Sequence, residues 1–278
     1  MRAAGHRADI QGLRAVAVVL VVLGHAGVGF ARGGFVGVDV FFVLSGFLIT
    51  GLLLAEARAR GRISLLEFYV RRARRILPAA ALALVATDLA AFFLLNFVRA
   101  RGAVVDSLNA AGFVANFHFA ATGVDYFARQ DPPSPILHFW SLSVEEQFYV
   151  VWPLLLTLVL FGVARRGALH ERRLLGVLVA LAGASLGWSI YLTHAAPTTA
   201  YFSPFTRAWE LGLGATLAVG ASSLERTPGA VRLVLGWVGG QPVKPLTVAV
   251  GQIAATYYGL TALALARDAV GAAAARVK

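Results

Sequence analysis

The chain has 278 residues, of which 58% are hydrophobic and only 14% charged, and its mean hydropathy is +0.73. That balance excludes an ordinary soluble domain and predicts an all-α, multispanning transmembrane helical bundle of about six to seven spans, because the apolar runs are continuous where a β-barrel needs short alternating ones. Zero cysteines exclude thiol nucleophiles, disulfides and cysteine-based metal sites; no metal site is read from the six scattered histidines, and the net charge of +11 sits beside apolar segments rather than on a basic soluble module, which argues against nucleic acid.

In chain order, the first apolar segment covers about residues 11–30 and carries Arg14 and His25. Eleven residues make about three turns at 3.6 per turn, so both polar heads share one face, roughly 16 Å apart along the axis. An ionisable side chain at membrane depth points to function. The competing reading is that Arg14 snorkels to the headgroups while His25 marks the opposite interface. No cleavable leader is read here, since the segment holds this pair and lacks a small-residue cleavage site.

The second segment, 36–55, opens with Asp39 and carries Ser45-Gly46-Phe47. Ser45 is read as a small residue for close packing in preference to a nucleophile. Seven arginines follow (Arg58, Arg60, Arg62, Arg71, Arg72, Arg74 and Arg75), and four more stand between Arg165 and Arg173. The positive-inside rule places both loops and the N-terminus in the cytoplasm. Planar guanidinium forks suit phosphate oxygens, although anchoring to anionic lipid accounts for most of these arginines.

The third span is 77–97, and the stretch 98–144 is then external, its middle at 112–121 reading as a short interfacial or re-entrant helix. The fourth span, 145–163, is introduced by His138-Phe-Trp-Ser141-Leu-Ser-Val-Glu145-Glu146-Gln147-Phe-Tyr149. On a helix His138, Ser141, Glu145, Tyr149 and Trp152 share one stripe, while Glu146 and Gln147 point elsewhere. Ser141 or Ser143 would serve as the N-cap. Spans at 174–193 and 205–221 follow, the latter opening with Arg207 and Glu210, and a further apolar segment lies at 246–266. The alternation puts Arg14 and the arginine clusters inside, and gathers His25, Asp39, the His138–Tyr149 run, Arg207 and Glu210 at the outer side.

These residues resemble the acyltransferase-3 family of integral membrane O-acyltransferases, closest to its branch that acetylates lipopolysaccharide, peptidoglycan and other surface glycans. Four motifs carry the resemblance, in order. Arg14 and His25 are followed by Gly-Val-Asp39-Val-Phe-Phe-Val-Leu-Ser45-Gly; then come Phe68-Tyr-Val-Arg71-Arg-Ala-Arg74-Arg, His138-Phe-Trp-Ser-Leu-Ser-Val-Glu145-Glu-Gln-Phe-Tyr149, and Arg207-Ala-Trp-Glu210-Leu-Gly. The resemblance implies an acyltransferase-like membrane domain over residues 1–221, with 222–278 a divergent tail in which the family's later helices have no counterpart. It implies acetyl or another acyl group moving from cytoplasmic acyl-CoA, a donor substrate and not a tightly bound cofactor, to a hydroxyl of an extracytoplasmic glycan.

By the same resemblance His25 is the catalytic base or transient acyl carrier, with Glu145 or Asp39 orienting it. Arg14 and the pairs Arg71/Arg74 or Arg72/Arg75 hold acyl-CoA. His138, Ser141, Tyr149, Arg207 and Glu210 support the acceptor side. The implied partners are the lipid bilayer, acyl-CoA, a surface glycan and a separate extracytoplasmic esterase-like transferase. The implied location is a bacterial inner membrane, with the N-terminus cytoplasmic. Two alternatives stand beside this: a truncated, non-catalytic relative, and a proton-coupled transporter, since His, Asp and Glu within spans also build proton relays.

Overall fold

The computed structural model describes residues 8–26, 28, 33–124, 133–164 and 170–224. These form an all-α, multispanning bundle of helices: α1 Ala8–His25, α2 Val36–Arg60, α3 Leu65–Leu94, α4 Phe97–Ala111, α5 Ala115–Ala121, α6 Phe139–Ala164, α7 His170–Ala195, α8 Pro197–Phe202 and α9 Pro204–Leu224. The apolar segment expected at 246–266 lies outside the described residues. Among the described residues four helices are long and apolar enough to cross a membrane, at Val36–Arg60, Leu65–Leu94, Phe139–Leu160 and Arg172–Ala195, and Ile10–His25 is a shorter apolar helix. The chain divides into two compact units, residues 45–219 and residues 1–44 with 220–278.

Local chemistry explains most boundaries. Gly61, at φ +67°, takes the left-handed turn just past Arg60 and ends α2, whose last turn carries Arg58 and Arg60 against the negative end of the helix dipole. Asn96 caps α4, its side-chain oxygen accepting from the Arg99 amide at 3.0 Å. Pro197 and Pro204 open α8 and α9, where the missing N–H of proline is no loss. The short helix expected within 112–121 is α5, entered through a corner at Phe113.

Two expectations are corrected. The arginine run 71–75 is not in a loop: α3 begins at Leu65 and carries all four arginines in its first three turns. Neither Ser141 nor Ser143 caps α6, which starts at Phe139; their hydroxyls donate instead to the carbonyls of His138 and Phe139.

Within residues 45–219, the core gathers Leu53 of α2, Phe68 of α3, Tyr149, Trp152 and Leu156 of α6, Leu178 of α7 and Ala215 of α9. Trp152 buries its indole and satisfies it by donating to Thr50 Oγ1 at 2.9 Å. Gly46 lets α2 meet α9 backbone to backbone: a Cβ there would stand 1.9 Å from the Leu211 carbonyl oxygen. By contrast α3 and α7 leave large apolar side chains uncovered, among them Leu82, Phe92, Phe93, Leu181 and Ile190, a surface suited to lipid. In the other unit, Gly34 and Gly37 bring the start of α2 against Leu20, Ala17 and Val21 of α1, so the contact lies between Arg14 and His25.

Candidate functional site

The polar residues of three helices converge on the side chain of Glu145 in α6. Ser45 of α2 donates its hydroxyl to Glu145 Oε1 at 2.6 Å. Tyr149, one turn on along α6, donates its phenol hydroxyl to the same oxygen, as the i, i+4 stripe predicts. Arg72 of α3 brings Nη2 to 3.5 Å from Glu145 Oε1 and 2.9 Å from Glu146 Oε1, with Nε donating to Glu146 as well at 3.3 Å. The guanidinium carbon stands over the Tyr149 ring, 3.4 Å from its centroid. Ser45 and Tyr149 are buried, and Arg72, Glu145 and Glu146 are mostly so. Two carboxylates held this way survive burial because one guanidinium faces both and the Ser45 and Tyr149 hydroxyls donate to Glu145.

This geometry corrects the expected placement of Arg72 and Glu145 on opposite membrane sides. Arg72 lies about 10 Å into α3 and Glu145 about 9 Å into α6, at 1.5 Å per residue, and the two helices run antiparallel so that these levels coincide. Glu146 does lie off the Glu145 stripe, yet it meets the same guanidinium. Ser45, read from sequence as packing, is a hydrogen-bond donor to the carboxylate, and the packing role belongs to its neighbour Gly46.

The other arginines divide. Arg71 is exposed and pairs with Glu67 at 3.2 Å and Glu56 at 3.7 Å, in a network with Arg60 that clips the α2–α3 turn. Arg74 and Arg75 are exposed and make no ion pair among the described residues. Arg207 and Glu210 form a pair at 3.1 Å, with Arg207 also donating to the Tyr201 carbonyl and facing the Trp140 and Tyr201 rings. That places the pair beside the first turn of α6, about one and a half turns before Glu145. His138 and Ser141 sit at this end too, His138 just before the helix.

Arg14, His25 and Asp39 belong to the unit of residues 1–44. Arg14 is half-buried, His25 is the exposed last residue of α1, and Asp39 is in the first turn of α2. His25 Nδ1 is 2.8 Å from the Val21 carbonyl oxygen. A carbonyl only accepts, so that nitrogen carries the proton and the lone pair of the neutral ring is on Nε2.

Two polar sets escaped the sequence reading. Gln147 donates to the Phe113 carbonyl and to Asn116 Oδ1, and Asn116 donates to the Phe202 carbonyl. Asp106 of α4 receives His118 Nε2 on one carboxylate oxygen at 2.8 Å and the Ser134 hydroxyl on the other. The residue types were visible, but every one of these links joins separate elements, and only the fold brings them together. No group of three or more metal-ligating side chains occurs among the described residues.

A family model described as an acyltransferase domain matches residues 7–262. The chain is similar to the peptidoglycan O-acetyltransferase OatA of Listeria monocytogenes, at 37% identity over 214 residues, covering 76% of this chain and 33% of that protein. It is similar to the putative peptidoglycan O-acetyltransferase YrhL of Bacillus subtilis, at 36% over 214 residues, covering 76% and 32%. A putative O-acetyltransferase of Staphylococcus aureus, SACOL0978, matches at 36% over 211 residues, covering 75% and 34%. The chain thus spans about a third of the length of these curated relatives. No solved structure matches it.

Proposed function

Since this chain belongs to the acyltransferase-3 family of integral membrane proteins, we propose that it takes part in moving an acetyl or other acyl group from cytoplasmic acyl-CoA to a hydroxyl of an extracytoplasmic glycan. The observation that carries this reading is the convergence of three separate motifs on one buried charged centre: Ser45 from the first motif, Arg72 from the second, and Glu145, Glu146 and Tyr149 from the third. Lipid-facing helices need no such centre, and an ionisable cluster at membrane depth is there for function.

In the proposed reaction the Nε2 lone pair of His25 takes the proton of the acceptor hydroxyl. The alkoxide oxygen forms the new ester bond at the thioester carbonyl, the carbon–sulfur bond breaks, and the imidazolium returns the proton to the departing CoA thiolate. A two-step version, with the acyl group resting briefly on His25, uses the same lone pair. Glu145 or Asp39 is the carboxylate whose negative charge supports this proton transfer.

Arg74 and Arg75, exposed on α3, are candidate ligands for the CoA phosphates, and Arg14 is another. Arg71 and Arg72 would have to leave carboxylate partners to do so. A surface glycan such as peptidoglycan is the acceptor class, in a bacterial inner membrane with the N-terminus inside. A separate extracytoplasmic esterase-like protein is the proposed partner.

The test is CoA release and acetyl transfer by detergent-purified protein given acetyl-CoA and a soluble muropeptide. Wild type is compared with His25→Ala, Glu145→Gln and Asp39→Asn. Loss in His25→Ala and in one carboxylate variant identifies the base and its partner. Turnover at the wild-type level in His25→Ala overturns the mechanism. Uptake driven by a proton gradient without any acetyl-CoA requirement would favour a transporter instead.

A further inference from the structure

Three consecutive residues of α6 make their polar contacts to three different parts of the fold. Glu145 accepts from Ser45 of α2, Glu146 accepts from Arg72 of α3, and Gln147 donates to the α4–α5 corner. Successive residues of a helix are turned by about 100°, so these bonds leave α6 in three directions and oppose its rotation about its own axis. The third direction is built with care. Gln147 Nε2 donates both hydrogens, to the Phe113 carbonyl at 2.7 Å and to Asn116 Oδ1 at 2.8 Å. Asn116 is fully buried and spends its own Nδ2 on the Phe202 carbonyl at the end of α8, 3.2 Å away. Phe113 holds φ at +53°, the one positive value at a non-glycine among the described residues. That conformation persists only where its surroundings enforce it.

We propose that Gln147 and Asn116 are positioning residues that set the rotation of α6 and thereby the presentation of Glu145 and Glu146 to Arg72, Ser45 and Tyr149. Side-chain tips on a helix lie about 5 Å from its axis, so a rotation of about 10° displaces them by roughly 1 Å. Displacement of a catalytic group by about 1 Å costs on the order of 100-fold in rate. The link therefore acts on the charged centre without touching any reacting atom. Its effect on turnover rests on the acyltransferase reading above; its effect on the geometry does not.

The experiment is a double-mutant cycle between Gln147→Met, which keeps the length and removes both donors, and Glu145→Gln, read in two ways on detergent-purified full chain. In acetyl-CoA turnover, Gln147→Met lowers kcat about 10-fold or more, with KM for acetyl-CoA within about twofold of wild type. In the Glu145→Gln background the same change costs less than about twofold, because the Glu145 carboxylate whose placement sets the rate is already gone. The swap Asn116→Gln with Gln147→Asn retains both amides and recovers most of the lost kcat.

In thermal unfolding, which needs no activity, the two losses are likewise non-additive. Equal fold-losses of kcat in both backgrounds, or strictly additive shifts in unfolding midpoint, overturn the proposal and leave Gln147 a plain structural contact. A wild-type protein that transfers no acetyl group overturns the functional reading alone, and the thermal cycle then decides the positioning role.

Discussion

Arg71 and Arg72 are neighbours in sequence and belong to different physical regimes. Arg71 is 59% exposed and joins Arg60, Glu56 and Glu67 in a network at the turn between α2 and α3. Arg72 is 18% exposed, lies against Tyr149, and bridges two carboxylates that come from 73 and 74 residues further along the chain. Water and salt screen the first set, so each of its pairs contributes little. The second set has given up most of its water, and removing Arg72 leaves two largely buried carboxylates without a counter-charge. A run of five residues with four arginines thus contains one whose loss should be severe and several whose loss should be slight.

The strongest way to sharpen this contrast is Arg72→Met. It should destabilise the protein by about 3 kcal/mol, the low end for one partner removed from a buried pair, and abolish turnover. The triple variant Arg72→Met, Glu145→Gln, Glu146→Gln should regain most of the stability and none of the activity. Unfolding in detergent, followed by circular dichroism, checks both; an Arg72→Met midpoint equal to wild type would break the contrast.

Next in size is Gly46→Ala, where the new methyl meets the Leu211 carbonyl at 1.9 Å and α2 must part from α9. Gly51→Ala, on the same helix with nothing within 4 Å, should be neutral or stabilising by up to about 1 kcal/mol. Opposite signs for the two glycines are expected in the same unfolding assay. Tyr149→Phe keeps the ring under Arg72 and removes one donor from Glu145, so a loss of about 1 kcal/mol is expected, with a several-fold fall in kcat. At the small end, Arg60→Ala should leave the unfolding midpoint and turnover indistinguishable from wild type.

The sequence reading reached the all-α membrane class, the α5 helix and the Glu145–Tyr149 stripe, because each rests on composition or on helical spacing alone. It started α3 twelve residues late, at 77 in place of Leu65. A membrane-spanning helix is not expected to hold four arginines, and none of the charges that compensate Arg72 is near it in sequence. The Glu145–Glu146 partners stand on α6, so only the fold reveals why the helix can run through that segment. From sequence Ser45 reads only as packing or nucleophile for the same reason: its acceptor is 100 residues away. Gln147 stands in the motif and off the Glu145 stripe, but nothing in its spacing points to Phe113 or Asn116, which lie more than thirty residues away.

The most direct test of the account is transfer of radiolabelled acetyl from acetyl-CoA by purified wild type, Glu145→Gln and Arg60→Ala side by side. The account predicts turnover in wild type, unchanged turnover in Arg60→Ala, and a loss of about 100-fold in Glu145→Gln. Equal rates in wild type and Glu145→Gln would contradict it, because the charged centre on α2, α3 and α6 would then have no part in the chemistry.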